Sequence, residues 1–321
     1  LDVPTFAQFA RLSGLVPLVG VVSGRCFAGN AALLLGSEAL SAQGQQLAAR
    51  IAQATGAELL CDTFFARMER GGGLPKVTKL PYFPDMAMHV TKRFRHVVIA
   101  GTRRPVAFFG YPDMPSYLTT EEQTVVLAGA HDDALAALRA LAAELHAGEA
   151  VADKPATRPA LPKGVLEAAS VSAVIAHLQP QNCIMMDEAL TVGIPYYDAS
   201  HAAPRFTHLM LTGGAIGQGP GAATGAAFAC PDSLRDRAAE GLVPAIVEPR
   251  GPVCLAVRTL KIRSSLASLE PILLSDDRRS PLRSSRPSGP SPGPVTNDEF
   301  VAQLTVVRPS PRPEGSRYAI I

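Results

Sequence analysis

Four short apolar runs, each closed by a glycine or an acidic turn, limit what the first half of this chain can fold into. They read NAALLLG at residues 30–36, AELLCDT at 57–63, RHVVIAG at 95–101 and QTVVLAG at 123–129. None alternates apolar with polar residues, so each suits a strand covered on both faces rather than one. Between them, SEALSAQGQQLAARIAQATG carries Leu40, Leu47 and Ile51 at helical spacing, with Gly56 at the stop. HDDALAALRALAAELHAG reads as a second helix, with Asp132 and Asp133 at its positive end and Gly148 at its stop. Apolar strands alternating with amphipathic helices predict an α/β domain with a parallel sheet over residues 28–148, after an N-terminal extension at 1–27.

A second unit follows a stiff linker. Residues 149–164, EAVADKPATRPALPKG, hold three prolines. Over 165–232, VLEAASVSAVIAHL reads as a helix, and NCIMMDE and THLMLT as strands. The glycine-dense stretch 213–225, GGAIGQGPGAATG, then leads into AAFAC, a helix of small residues. From residue 231 onward the character changes, and 13 of the 28 prolines fall there. Residues 278–294, RRSPLRSSRPSGPSPGP, lack the apolar side chains of a core, so 233–321 is predicted to be a divergent, partly disordered tail. Segments such as PAIVEP and GPVCLAVRTLKI within it suit strands. The fold class expected is therefore two doubly wound parallel-sheet domains, the second truncated.

Composition excludes several classes of partner. A net charge of +2, 6% aromatic residues and no Trp give no footprint for nucleic acid. The apolar stretch at 12–22 is interrupted by Ser, Gly and Pro and is too short to cross a bilayer, so no membrane is expected. Five cysteines without a CxxC pair point to a reducing, cytoplasmic setting. The chain starts with Leu and lacks a basic leader, so no secretory signal is expected, and sequence upstream is expected to be missing.

The chemistry concentrates in two segments that each follow an apolar run: DEALT at 187–191 and LTGGAIGQG at 211–219. Ligands of open parallel sheets bind at the carboxyl ends of the strands. On residues alone the glycine run serves equally as a turn or a ligand loop, and Thr191 equally as a helix cap. Gly36 stands alone, without dinucleotide spacing, and Gly71 to Gly73 read as a surface loop. Glu38, Glu58 and Glu69 read as surface charges. The seven histidines show no metal spacing; surface or helix-end positions are their default, and only His201 and His208 lie near the glycine run.

The segments DEALTVGIPYYDA and LTGGAIGQG, followed by ATGAA and ACPD, resemble the start of the C-terminal cofactor domain of thiamine-diphosphate enzymes, of the acetolactate synthase large-subunit type and its benzoylformate-decarboxylase-like relatives. ALLLGSEAL, TGAELLCDTFFARMERG, LPYFP and PVAFFGYP resemble the central domain of the same family. The likeness covers about 200 of the 321 residues. It implies thiamine diphosphate as cofactor, with magnesium, and a 2-keto acid such as pyruvate as substrate. It places Leu190 and Thr191 beside the diphosphate, Gly214 and Ile216 on the aminopyrimidine with Ile216 under the bent cofactor, and Gly217 in the same loop. Some members hold FAD in the central domain, so FAD or another nucleotide is an alternative ligand. An active site shared between subunits implies a homodimer or homotetramer.

The departures bear on activity. Pro220 and Gly221 stand where the family reads Leu-Pro, which affects the helix start. No Gly-Asp-Gly occurs; Asp276 and Asp277 lie in a turn-like LLSDDRR, and Asn297 lacks an Asp partner, so no metal ligand is assigned. The glutamate that activates the aminopyrimidine belongs to an N-terminal domain with no counterpart here, so no catalytic residue is assigned and this chain alone is expected to be inactive. The rival from another class is a non-catalytic truncated relic. The Arg- and Pro-rich break near 231 is also what a GC-rich gene yields when read out of frame.

Overall fold

The computed structural model describes residues 27, 30–149, 157–165, 167–189, 191–230 and 254–257. They form two compact units: the described residues up to Thr157 with Pro204–Ala215, and those of Arg158–Ala203 with the residues from Ile216 onward. The predicted N-terminal extension, apart from residue 27, and nearly all of the predicted tail lie outside the described residues.

The first unit opens with strand β1 (Ala31–Leu35), every residue of which is buried. A short turn of 3-10 helix at Ser37–Leu40 leads into helix α1 (Ala42–Thr55), which buries Leu47, Ala48 and Ile51. Ser41 caps α1 by accepting from the Gly44 amide at 3.1 Å. Gly56 ends it at φ 75°, a left-handed conformation that strains a residue with Cβ. Then come β2 (Glu58–Cys61), β3 (Arg67–Arg70), β4 (Thr78–Lys79), helix α2 (Pro84–Thr91), β5 (His96–Ala100), β6 (Thr124–Ala128) and helix α3 (Ala134–Glu144). Pattern reasoning finds β1, β2, β5 and β6. It misses β3, which is mostly charged, β4, which is two residues long, and α2, which carries exposed Phe83 and Met86 at its start.

Strands β4, β2, β1, β5 and β6 lie side by side in that order, every pair parallel. The chain lays strands outward from β1 on one side, then returns and continues on the other. The order thus reverses between β1 and β5. Leu34, Leu60, Leu80, Phe94, Val97 and Ile99 pack into one cluster, and each fully buried leucine of this kind contributes about 2–3 kcal/mol. Asp133 caps α3 by accepting from the Ala136 amide at 2.8 Å. The helix does not run to Gly148 as its sequence suggests. It stops at Leu145, because His146 turns to φ 47° and the Ala147 amide folds back to the Ala142 carbonyl at 2.9 Å. Arg50 holds this exit in place through the carbonyls of Ala147 and Gly148, each at 2.8 Å.

The second unit carries helix α4 (Ala168–Leu178), strand β7 (Cys183–Asp187) and helix α5 (Gly193–Ala199). Strand β8 (Phe206–Met210) belongs to the first unit and pairs antiparallel with β3, Met68 opposite His208. Helix α6 (Gln218–Ala229) and strand β9 (Cys254–Val257) return to the second unit, where β9 runs parallel to β7. The charged β3 escapes notice because its pairing partner lies so far along the chain. That pairing also corrects the default reading of His208 as a surface histidine. Phe206, His208 and Met210 alternate inward, and His208 is wholly buried, with the Arg70 guanidinium 3.4 Å from its Nδ1 and the rings of Phe65 and Phe206 beside it.

Candidate functional site

In the second unit the carboxyl end of β7 delivers two acidic side chains in succession. Asp187 is buried and turns back to accept from the Ala189 amide at 2.9 Å. Glu188, also buried, reaches the start of α6 and accepts from the amides of Gly217 and Gly219, the second at 2.5 Å. A carboxylate there complements the positive helix end and satisfies amides that have no partner within the helix. Position 219 must lack a side chain for this, since a Cβ would sit 2.5 Å from Glu188 Oε2. Gly217 forms the helix cap at φ 97°. The helix begins earlier than the small-residue run suggests and takes in Pro220, which is tolerated because first-turn amides need no intrahelical partner. Sequence reading passes over Glu188. Its signal is an acidic residue directly after a buried strand, but the amides it reaches come 29 and 31 positions later.

Of the residues assigned to the cofactor, Leu190 lies outside the described residues. Thr191 is exposed just beyond Glu188. Ile216 is 78% exposed, the most of any large apolar side chain described, and stands directly before the Gly217 cap. Gly217 has its amide committed to Glu188, so its contribution is the turn itself. Gly214 belongs with the first unit, at φ 67°, where a Cβ would press to 2.6 Å against the Phe108 ring. An isoleucine held bare by a glycine turn, with an exposed hydroxyl on the neighbouring loop, fits a flat ring system that needs apolar support and carries an anionic arm. Among the described residues no group of three or more His, Cys, Asp or Glu is placed to hold a metal ion.

The first unit has a cleft of its own, about 1000 Å³, at the carboxyl ends of β1, β2 and β5. Its polar anchor is Asp62, directly after β2, whose Oδ2 accepts from the Thr102 hydroxyl at 2.6 Å. Burial pushes the Asp62 carboxyl above the usual carboxylate range, and the Thr102 bond pulls the other way. A perturbed carboxyl in a cleft marks a candidate binding position. Phe64, Tyr82 and Phe108 line the same cleft, Phe64 meeting the other two edge-on at 5.9 and 4.9 Å between ring centres.

No family model matches the chain. Over 215 residues, 67% of the chain, it is 43% identical to the acetolactate synthase large subunit-like protein IlvX of Mycobacterium tuberculosis. The chain belongs in part to the thiamine-diphosphate-dependent enzymes, acetolactate synthase large-subunit type. It spans 42% of the length of that relative. Its α/β architecture matches a solved thiamine diphosphate-dependent 4-hydroxybenzoylformate decarboxylase of Rhodococcus jostii RHA1, with a TM-score of 0.52 at 14% identity, over 76% of this chain and 45% of that one. The X-ray structure described as that of a thiamin diphosphate-dependent enzyme from Mycobacterium smegmatis overlaps at a TM-score of 0.48 and 16% identity, over 77% of this chain and 47% of that one. For this partial member of the family, no helix among the described residues is long and apolar enough to cross a membrane.

Proposed function

We propose that this chain is the central part and the beginning of the cofactor domain of a thiamine-diphosphate-dependent transferase or lyase. Its reaction would be decarboxylation of a 2-keto acid such as pyruvate with transfer of the two-carbon fragment to a carbonyl acceptor. The observation that carries the reading is the Ile216–Gly217 turn clamped by Glu188, set within a chain 43% identical to the acetolactate synthase-like relative over 215 residues. Bound thiamine diphosphate supplies a nucleophilic thiazolium carbon and an electron sink for the decarboxylation. Ile216 would support the cofactor from below, and Gly214 and Ile216 would offer backbone groups to its aminopyrimidine. Thr191 and Leu190 would flank its diphosphate, with magnesium. Glu188 would position that loop through the amides of Gly217 and Gly219, and Asp187 holds the strand end by accepting from the Ala189 amide.

The chain alone is expected to bind but not to turn over, and to act within a homodimer or homotetramer in the cytoplasm. Calorimetric titration of the full chain with thiamine diphosphate and magnesium tests this: saturable micromolar binding supports the reading, and absence of heat overturns it. Acetolactate formed from pyruvate by the purified chain would overturn the expected inactivity. Resequencing the coding DNA checks the frame hypothesis, which requires a Gly-Asp-Gly and a downstream Asn in another frame near residue 240.

A further inference from the structure

The segment between β5 and β6 holds no helix, yet its base is fixed. Val106 bridges Tyr117 antiparallel, the Ala107 amide donates to the Ser116 carbonyl at 2.7 Å, and the Leu118 amide donates to the Pro105 carbonyl at 2.9 Å. Phe108 leaves directly after this rung. Phe64 and Phe109 meet its ring edge-on, at 4.9 and 5.0 Å between centres, so its neighbours restrict how it can turn.

Gly213 and Gly214, at φ 60° and 67°, form the centre of a tight turn that closes when the Ala215 amide donates to the Thr212 carbonyl at 3.3 Å. Two successive left-handed residues suit glycine. Glycine also loses the most backbone freedom when it is fixed, and a bond of that length offsets little of the cost. Thr212, Gly213, Ala215 and Ile216 are exposed, but Gly214 among them is half-buried. What covers it is Phe108. The three atoms nearest the point where a Cβ would stand all belong to that ring, Cε1 at 2.6 Å and Cζ at 2.7 Å. A side chain at 214 would collide with the ring, so glycine is required both for its backbone and for the closeness of the approach. Both partners of this contact belong to the first unit.

We infer that Phe108 is a positioning residue for the cofactor loop: its ring fixes the Gly213–Gly214 turn, and with it the backbone that Gly214 offers to the aminopyrimidine. The ligand in this statement rests on the thiamine-diphosphate reading; the fixing of the turn does not. A loop already held in its bound conformation binds more tightly because the cost of ordering it has been met before the ligand arrives.

The test pairs two measurements on the full chain: hydrogen exchange of the Ala215 amide without ligand, and calorimetric titration with thiamine diphosphate and magnesium. Phe108→Leu keeps apolar bulk beside Phe64 but stops short of Gly214, so the variant folds and frees the turn. Ala215 then exchanges about tenfold faster, and thiamine diphosphate binds about tenfold more weakly. Phe108→Met, whose flexible apolar chain reaches as far as the ring, returns both to within about threefold of the wild type. Phe83→Ala removes an exposed ring of the same aromatic group, joined to Phe108 through Tyr82, and leaves both unchanged. Ala215 exchange in Phe108→Leu within about twofold of the wild type, or an equal rise in Phe83→Ala, would overturn the inference. So would undiminished cofactor affinity in Phe108→Leu, and the proposed function would then stand. If the wild type takes up no thiamine diphosphate, the proposed function falls and Ala215 exchange alone decides whether Phe108 fixes the turn.

Discussion

Each unit has a helix whose start is held by a glutamate from elsewhere in the chain, and the two are built differently. In the first unit Glu69 joins Ser41 on α1, a helix that also buries Leu47, Ala48 and Ile51 against the sheet. In the second, Glu188 grips two glycine amides at α6, whose N-cap offers no side-chain bond and whose first turn is Gln, Gly, Pro and Gly. The first carboxylate adds to a helix already fixed by packing. The second substitutes for packing that the glycines cannot provide. The same device therefore reinforces a packed helix in one unit and holds a glycine turn in the other.

The largest effect expected on this contrast comes from the packed side. Leu34→Ala, at a wholly buried position in the first unit's cluster, should cost about 2–5 kcal/mol in denaturant unfolding of that unit. A cost below about 1 kcal/mol would mean the unit is not held by its core in the way the contrast requires. Next comes Glu188→Ala, which removes two charge-assisted bonds and should cost about 1–3 kcal/mol, with hydrogen exchange of the Gly217 and Gly219 amides rising sharply. Exchange there that stays slow would show the glycine turn holds itself. Gly219→Ala should mimic this loss, since its Cβ would displace Glu188.

A smaller effect of opposite sign is expected at Asp62. Its folded pKa lies above the unfolded value, so the folded state binds the proton more tightly, and stability falls as pH rises from the ordinary carboxylate value through the raised one. Asp62→Asn should therefore melt higher at neutral pH and lose that decline; an unchanged pH profile of melting would remove Asp62 as its source. Smallest for stability is Ile216→Ala, which at 78% exposure should change unfolding by no more than about 0.5 kcal/mol. The same variant should lose thiamine diphosphate affinity about tenfold or more if the side chain supports the cofactor. Unchanged affinity would place the ligand elsewhere.

Much of the first unit was legible because its signals are local. Uniformly apolar runs gave β1, β2, β5 and β6, and Gly56 and Asp133 marked a helix end and a helix start where the structure has them. Gly148 failed as a stop because buried Ala147 and the Arg50 clamp end the helix sooner, a tertiary effect. Ile216 and Thr191 were assigned to the cofactor only through resemblance, since an exposed isoleucine and a lone threonine carry no signal of their own.

What the sequence determined alone is therefore the α/β class, the helix caps that lie within a few residues of their targets, and the family likeness carried by DEALT and GGAIGQG. Tertiary structure decided the strand order around β1, the antiparallel pairing of charged β3 with β8, the burial of His208, and the use of Glu69 and Glu188 as helix plugs. The reason is the same in each case. Backbone propensity and hydrophobic period act between near neighbours, whereas a carboxylate chooses its amide 27 or 31 positions away only after packing has brought the two together.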